Sequence, residues 1–271
     1  MSLTIHPTAM IASGATIGAN VTIGPYCVVG AQVTLADNVH LYSHVVVDGH
    51  TQIGAATEIF PFASIGHRPQ DKKFKGEDSR LVIGERNVIR EHVTINPGTE
   101  GGGLYTRIGN DCLFMASAHV AHDCQVGNHV VMANNATLAG HVSVGDGVII
   151  GGLAAVHQFV RIGDYAFVGG MTGITKDLIP YGMVVGDRGS LSGLNLVGLR
   201  RRNIGRDEIK QLRSIYDQIF TGEGTLAQRA TAIDGSALMH EAKCLLDFVT
   251  SDSSRSFCTP LANATTQPEA A

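Results

Sequence analysis

The sequence predicts a mainly β chain: a parallel β-helix of stacked six-residue repeats, followed by a small α-helical domain. The first observation is a beat. From Ile5 to Ile65 every sixth residue is a branched aliphatic: Ile5, Ile11, Ile17, Ile23, Val29, Leu35, Leu41, Val47, Ile53, Ile59 and Ile65. The second is what comes four places after each, a small or β-branched residue such as Ala9, Ala15, Val21, Cys27, Val33 or Ala63. A helix repeats about every 3.6 residues and a strand every two, so a period of six belongs to a repeat architecture. The third is that the beat fails at Pro180, and beyond about Gly198 helical spacing replaces it.

Three hexads make one triangular coil, so residues 18 apart in sequence stack one rung above another, about 4.8 Å apart. Strand alternation puts hexad positions one and five inside and position six outside. Positions two to four turn the corner, where the frequent glycine is expected to supply unusual backbone angles. After Ile65 the next beat is Ile83, one full coil later, and the polar stretch 67–80 between them reads as a loop thrown outward. The beat continues through Ile89 and Ile95. A second excursion, 97–106 (PGTEGGGLYT), accounts for a one-residue phase shift before the run from Ile108 to Ile174. The β-helix is therefore expected over 1–188 and the helical domain over 189–250. Two apolar stripes mark its helices: Ile209, Leu212, Tyr216, Ile219 and Phe220, then Leu238, Ala242, Leu245 and Val249. Residues 251–271, rich in Ser, Thr, Ala and Pro, read as a disordered tail.

Composition bounds the rest. With 271 residues, 44% of them apolar, the chain can bury a sizeable core. A net charge of −4 with no basic block gives no nucleic-acid footprint. No apolar run reaches the roughly 20 residues of a membrane span, and the opening MSLTIHPTAM lacks the basic and apolar regions of a secretory signal. A cytoplasmic location is expected. Five cysteines with no CxxC pair fit free thiols in a reducing compartment, and Cys27, Cys112 and Cys124 occupy inward hexad slots.

Chemistry concentrates between His119 and His157, a stretch with five histidines. His119 takes position six of its hexad and His122 position three of the next, so both face outward around one corner. Adding 18 to 122 gives Gly140, and again gives Gln158, with His141 and His157 beside that column. A glycine against a histidine leaves room for a carbonyl and an amide free to bind an oxyanion, as acyl transfer requires. Asp123 is placed to orient the His122 ring. Zinc is a competing use of clustered histidines, but no cysteine or second carboxylate converges here. The reading calls for neither metal nor cofactor.

The strings AHVAHDC, ANNATLAGHVSV, VHQFVRIG and GLRRR make the chain resemble the UDP-N-acetylglucosamine O-acyltransferases of lipid A synthesis, over most of its length to about residue 220. Hexads alone would indicate only the broader hexapeptide-repeat acyltransferase superfamily. The resemblance implies a left-handed coil, although the usual crossover rule favours the opposite hand. It also implies transfer of an (R)-3-hydroxyacyl group from an acyl-carrier-protein thioester to the 3-hydroxyl of UDP-N-acetylglucosamine. By position, His122 becomes the general base and Gly140 the oxyanion donor. Asp71 and Lys73 fall where the family contacts the sugar and phosphate, and His119, His141, His157 and Gln158 fall in or beside the same cleft. Asn195, Arg201 and Arg202 match nucleotide contacts; Val197 stands where a relative has glutamate, removing one hydrogen bond. Gly170, stacked on Gly152 and Asn134, matches the acyl-length ruler and implies a chain of about fourteen carbons. The family implies a homotrimer with active sites between subunits. An acetyl-CoA-dependent acetyltransferase, a zinc-binding coil and a non-enzymatic scaffold are the alternatives.

Overall fold

The computed structural model describes residues 3–261, and in it the hexads wind into a prism walled by three parallel sheets. Most strands are only two residues long, and each pairs with its counterpart one coil on: Thr4 with Thr22, Thr22 with His40, His119 with Thr137, Thr137 with Ala155. Face one starts at Thr4–Ile5, face two at Met10–Ile11 and face three at Thr16–Ile17, with 11, 9 and 8 strands respectively. Hexad positions one and five fill the interior. Ile23, Cys27, Val29, Leu41, Ile59, Phe114, Val120, Cys124 and Ile150 are each no more than 1% exposed, and each aliphatic contributes roughly 1.5–3 kcal/mol by leaving water. Ile5 stays 41% exposed because no coil lies beneath it.

The corners correct the expectation for glycine. The left-handed residue is position four, and it is seldom glycine: Asn20, Tyr26, Asn38, His44, Phe62, Asp123, His141, Phe159 and Tyr165 all have φ between 56° and 66°. Position-two glycines answer a different need, close stacking of backbones. A Cβ on Gly24 would lie 2.8 Å from the carbonyl carbon of Tyr42 in the next coil. On the corner between faces three and one, polar side chains take over the stacking. Asn128, Asp146 and Asp164 each accept from the backbone N–H of residue 110, 128 or 146 one rung earlier, at 2.9, 2.7 and 2.9 Å.

Both excursions leave from one corner. The chain departs face two at Ile65 and rejoins face three at Arg80–Ile83, then departs at Ile95 and rejoins at Tyr105–Ile108. One coil later the same corner carries His122 and Asp123. The two loops are therefore stacked immediately beside the residues singled out by spacing, and Glu77 accepts from the Glu100 N–H to tie them together.

At the far end Pro180 breaks the beat, yet strand structure persists beyond 188. Gly182–Val185 and Ser190–Leu194 form an antiparallel hairpin that completes face one. Among the described residues four helices follow: α1 (Leu196–Arg201), α2 (Arg206–Phe220), α3 (Leu226–Thr231) and α4 (His240–Thr250). The core of α2 (Leu212, Ile215, Ile219) packs with Ala242, Leu245 and Val249 of α4. The short α3 opens on a capping box, Thr225 with Gln228, a signal present in the sequence and passed over.

The expected disordered tail is corrected over its first part. Residues 251–261 run back along the prism: Asp177 N–H donates to the Ser256 carbonyl, Cys258 N–H to that of Asp177, and Leu191 N–H to that of Thr259. Cys258 is buried. Residues 262–271 lie outside the described residues. Among the described residues, no helix is long and apolar enough to cross a membrane.

Candidate active site

The corner between faces two and three gathers a hydrogen-bonded histidine–carboxylate pair. His119 opens the face-two strand His119–Val120 pointing outward, with Nδ1 2.6 Å from Thr94 Oγ1. His122 turns the corner, and its Nδ1 lies 2.8 Å from Asp123 Oδ2. Burial pushes Asp123 toward protonation, but hydrogen bonds from His122 and Thr99 outweigh it and hold the carboxyl below its ordinary range. A charged carboxylate can only accept, so His122 carries its proton on Nδ1 and presents Nε2 as the free base. That nitrogen faces Gly140. A Cβ built on Gly140 would sit 2.6 Å from Nε2 and 2.5 Å from Cε1. The expected vacancy beside glycine is real, and the His122 ring itself leans into it. Among the described residues the Gly140 N–H has no acceptor, whereas the next amide, of His141, donates to the His122 carbonyl.

His141 stacks on Phe159 at 4.4 Å between ring centres and meets the His122 ring edge-on at 5.0 Å. Its Nδ1 is 3.7 Å from Asp123 Oδ2. Burial lowers the proton affinity of His141 and of His119. Asp71 and Lys73, on the first excursion, lie near enough to His141 to act on it in opposite senses. The expectation of exposed rings is corrected for His122: it is only 6% exposed, set among Asp123, Gly140 and His141. Spacing missed the residues that close on Asp123. Thr99 and Gly102 belong to a loop without period, and the run of three glycines beside the corner was the available signal.

Other expected residues lie elsewhere in the chain. Gln158 follows Gly140 in the column, and Phe159 N–H donates to the Gly140 carbonyl. His157 is turned toward the C-terminal segment, its Nδ1 2.9 Å from the Arg255 guanidinium. Asn195 caps α1, accepting from Gly198 N–H at 2.9 Å, and donates to the Tyr165 carbonyl. Arg202 lies 3.3 Å over the Tyr165 ring. Tyr165 is on the corner between faces three and one, so a single chain does not bring Asn195, Arg201 and Arg202 to His122. Gly170 sits on the corner between faces one and two, where a Cβ would meet only the backbone of Gly152, at 3.3 Å.

Ligand atoms of His122, Asp123 and His141 fall within 4.8 Å of one another. A cation there would have to displace the hydrogen bonds that Asp123 already accepts on both oxygens, from Thr99 and from His122.

Residues 177–258 match the family model described as UDP N-acetylglucosamine O-acyltransferase, domain 2, and 3–31, 14–49 and 105–140 match the bacterial transferase hexapeptide repeat. An acyl-[acyl-carrier-protein]–UDP-N-acetylglucosamine O-acyltransferase of Methylobacterium radiotolerans is 62% identical over 203 residues, 74% of this chain and 75% of that one. One of the same name from Rickettsia bellii is 50% identical over 94% of this chain and 91% of its own. The chain belongs to the UDP-N-acetylglucosamine O-acyltransferase family. The solved structure of LpxA from Acinetobacter baumannii superposes with a TM-score of 0.90 at 42% identity, covering 93% of this chain and 98% of that one. This O-acyltransferase family member is a left-handed parallel β-helix with a helical C-terminal end.

Proposed function

We propose that this chain transfers an (R)-3-hydroxyacyl group from acyl carrier protein to the 3-hydroxyl of UDP-N-acetylglucosamine, an acylation in lipid A biosynthesis. The observation that carries the reading is His122 with Nδ1 fixed on Asp123 and Nε2 turned to the Gly140 vacancy. His122 Nε2 takes the hydroxyl proton as the sugar oxygen attacks the thioester carbonyl. The Gly140 N–H receives the developing oxyanion; the C–S bond then breaks, and the imidazolium returns its proton to the leaving thiolate. A positioned base supplies about 10²–10⁴-fold and an oxyanion donor about 3 kcal/mol.

Asp71, Lys73, His119, His141 and Gln158 are assigned to the sugar and phosphate cleft, with His157 at its edge. Asn195, Arg201 and Arg202 are assigned to the nucleotide, where a guanidinium fork suits paired phosphates. Because these two sets occupy different corners, the site is read as shared between subunits of a homotrimer, working in the cytoplasm. The open corner at Gly170 is read as the end of the acyl groove. Mass spectrometry of products from UDP-N-acetylglucosamine and a panel of acyl-carrier thioesters tests the reading. A singly O-acylated sugar nucleotide is expected, with longest-chain preference lost in Gly170→Met. Product from acetyl-CoA alone would overturn it.

A further inference from the structure

The second excursion closes on Asp123, the partner of His122. Thr99 is 5% exposed and reaches Asp123 with two donors: its backbone N–H to Oδ1 at 2.8 Å and its hydroxyl to Oδ2 at 2.5 Å. The Asp123 N–H in turn donates to the Thr106 hydroxyl at 2.8 Å, where the same loop rejoins face three. Gly102 closes the other side. Its backbone is not left-handed, so glycine is required for space: a Cβ there would fall on the Asp123 carboxylate. The carboxylate is thus gripped on both oxygens and walled by backbone, with Oδ2 2.8 Å from His122 Nδ1 and 3.7 Å from His141 Nδ1.

We infer that Thr99 is a positioning residue for the acyl transfer, clamping Asp123 so that His122 is held in the Nδ1–H form with Nε2 toward Gly140. The inference rests on the reading of His122 as general base. Asp123 alone, on a corner of left-handed backbone, has a rotatable side chain; with two fixed donors it has one orientation. Removing the hydroxyl frees Oδ2 to turn from the ring, and the imidazolium loses its counter-charge. The other groups facing His122 are His119 from the preceding strand and His141 one rung on, with Asp71 and Lys73 acting on His141 from the first loop.

The test compares Thr99→Val, Thr99→Ser, Gly102→Ala and His122→Ala in the full chain. Thr99→Val keeps the shape and the backbone donor. Its kcat is expected to fall about 10-fold or more, with KM for the sugar nucleotide unchanged, and the acidic limb of its pH profile to move to lower pH. Thr99→Ser, which keeps the hydroxyl, restores both. Gly102→Ala leaves Thr99 intact and pushes the carboxylate from the opposite side, so the same loss and the same limb shift are expected. It carries the test alone if Thr99→Val does not fold. Normal kcat and pH profile in Thr99→Val or in Gly102→Ala, with His122→Ala inactive, overturns the clamp and leaves the base standing. Turnover retained in His122→Ala overturns both.

Discussion

A glycine and a histidine stacked across one rung do opposite jobs at Gly140 and His122, and the two cannot be varied independently. Gly140 has no left-handed backbone, so alanine is conformationally acceptable there. The obstacle is the ring: the new methyl would lie 2.5 Å from His122 Cε1, well inside contact distance. The ring must swing away, which stretches its 2.8 Å bond to Asp123 and moves Nε2 off the vacancy. Gly140→Ala is therefore expected to lose about 10²-fold or more in turnover, much of what a positioned base supplies. Its circular dichroism should match that of the parent, because the change lies outside the prism's core. Near-normal turnover would show that Nε2 is not used from this position. This pair was legible in sequence because β-pairing makes register rigid: once His119 lies opposite Thr137, residue 122 must lie against residue 140. Thr99 was not legible, since an excursion has no period to count by.

Among elements, the segment after α4 is the one composition misread. Ser, Asp and Arg between 251 and 258 look solvated, but this segment's partners are fixed on the prism. Asp177, fully buried, accepts from Arg161 Nε at 2.7 Å, from the Arg161 backbone N–H at 2.8 Å and from Ser253 Oγ at 2.6 Å. Arg161 also donates to Ser251 Oγ at 2.7 Å and lies 4.6 Å from the centre of the Phe248 ring. One carboxylate thus joins face three, α4 and the returning strap. Asp177→Ala strands the Arg161 guanidinium, and breaking one side of such a pair costs about 3 kcal/mol. The expected result is a lower thermal midpoint with fast amide exchange confined to 251–258, while the hexads stay protected. Unchanged exchange in the strap would mean that its backbone pairing to Asp177 and Leu191 suffices. The strap was hidden from sequence because its partners are 76 and 90 residues away and follow neither the six-residue nor the helical period.

For the whole molecule, the prism separates residues by corner as firmly as it stacks them by rung. His122 turns the corner between faces two and three, whereas Arg202 lies over Tyr165 on the corner between faces three and one. No hinge in a β-helix brings one corner to another, because every coil is paired above and below. If both residues serve one substrate, they must come from different chains, and a closed ring of identical subunits supplies the second corner by symmetry. Two inactive variants then become complementary. In assemblies refolded from equal amounts of His122→Ala and Arg202→Ala, an intact site forms wherever a chain with its histidine meets a neighbour with its arginine. For random mixing the chance is one half times one half, so roughly a quarter of the parental activity is expected to return. Each variant alone should show almost none. If activity fails to return in verified mixed assemblies, both side chains act from the same chain; if Arg202→Ala is active by itself, Arg202 takes no part. In either case the division of the site between corners would have to be given up.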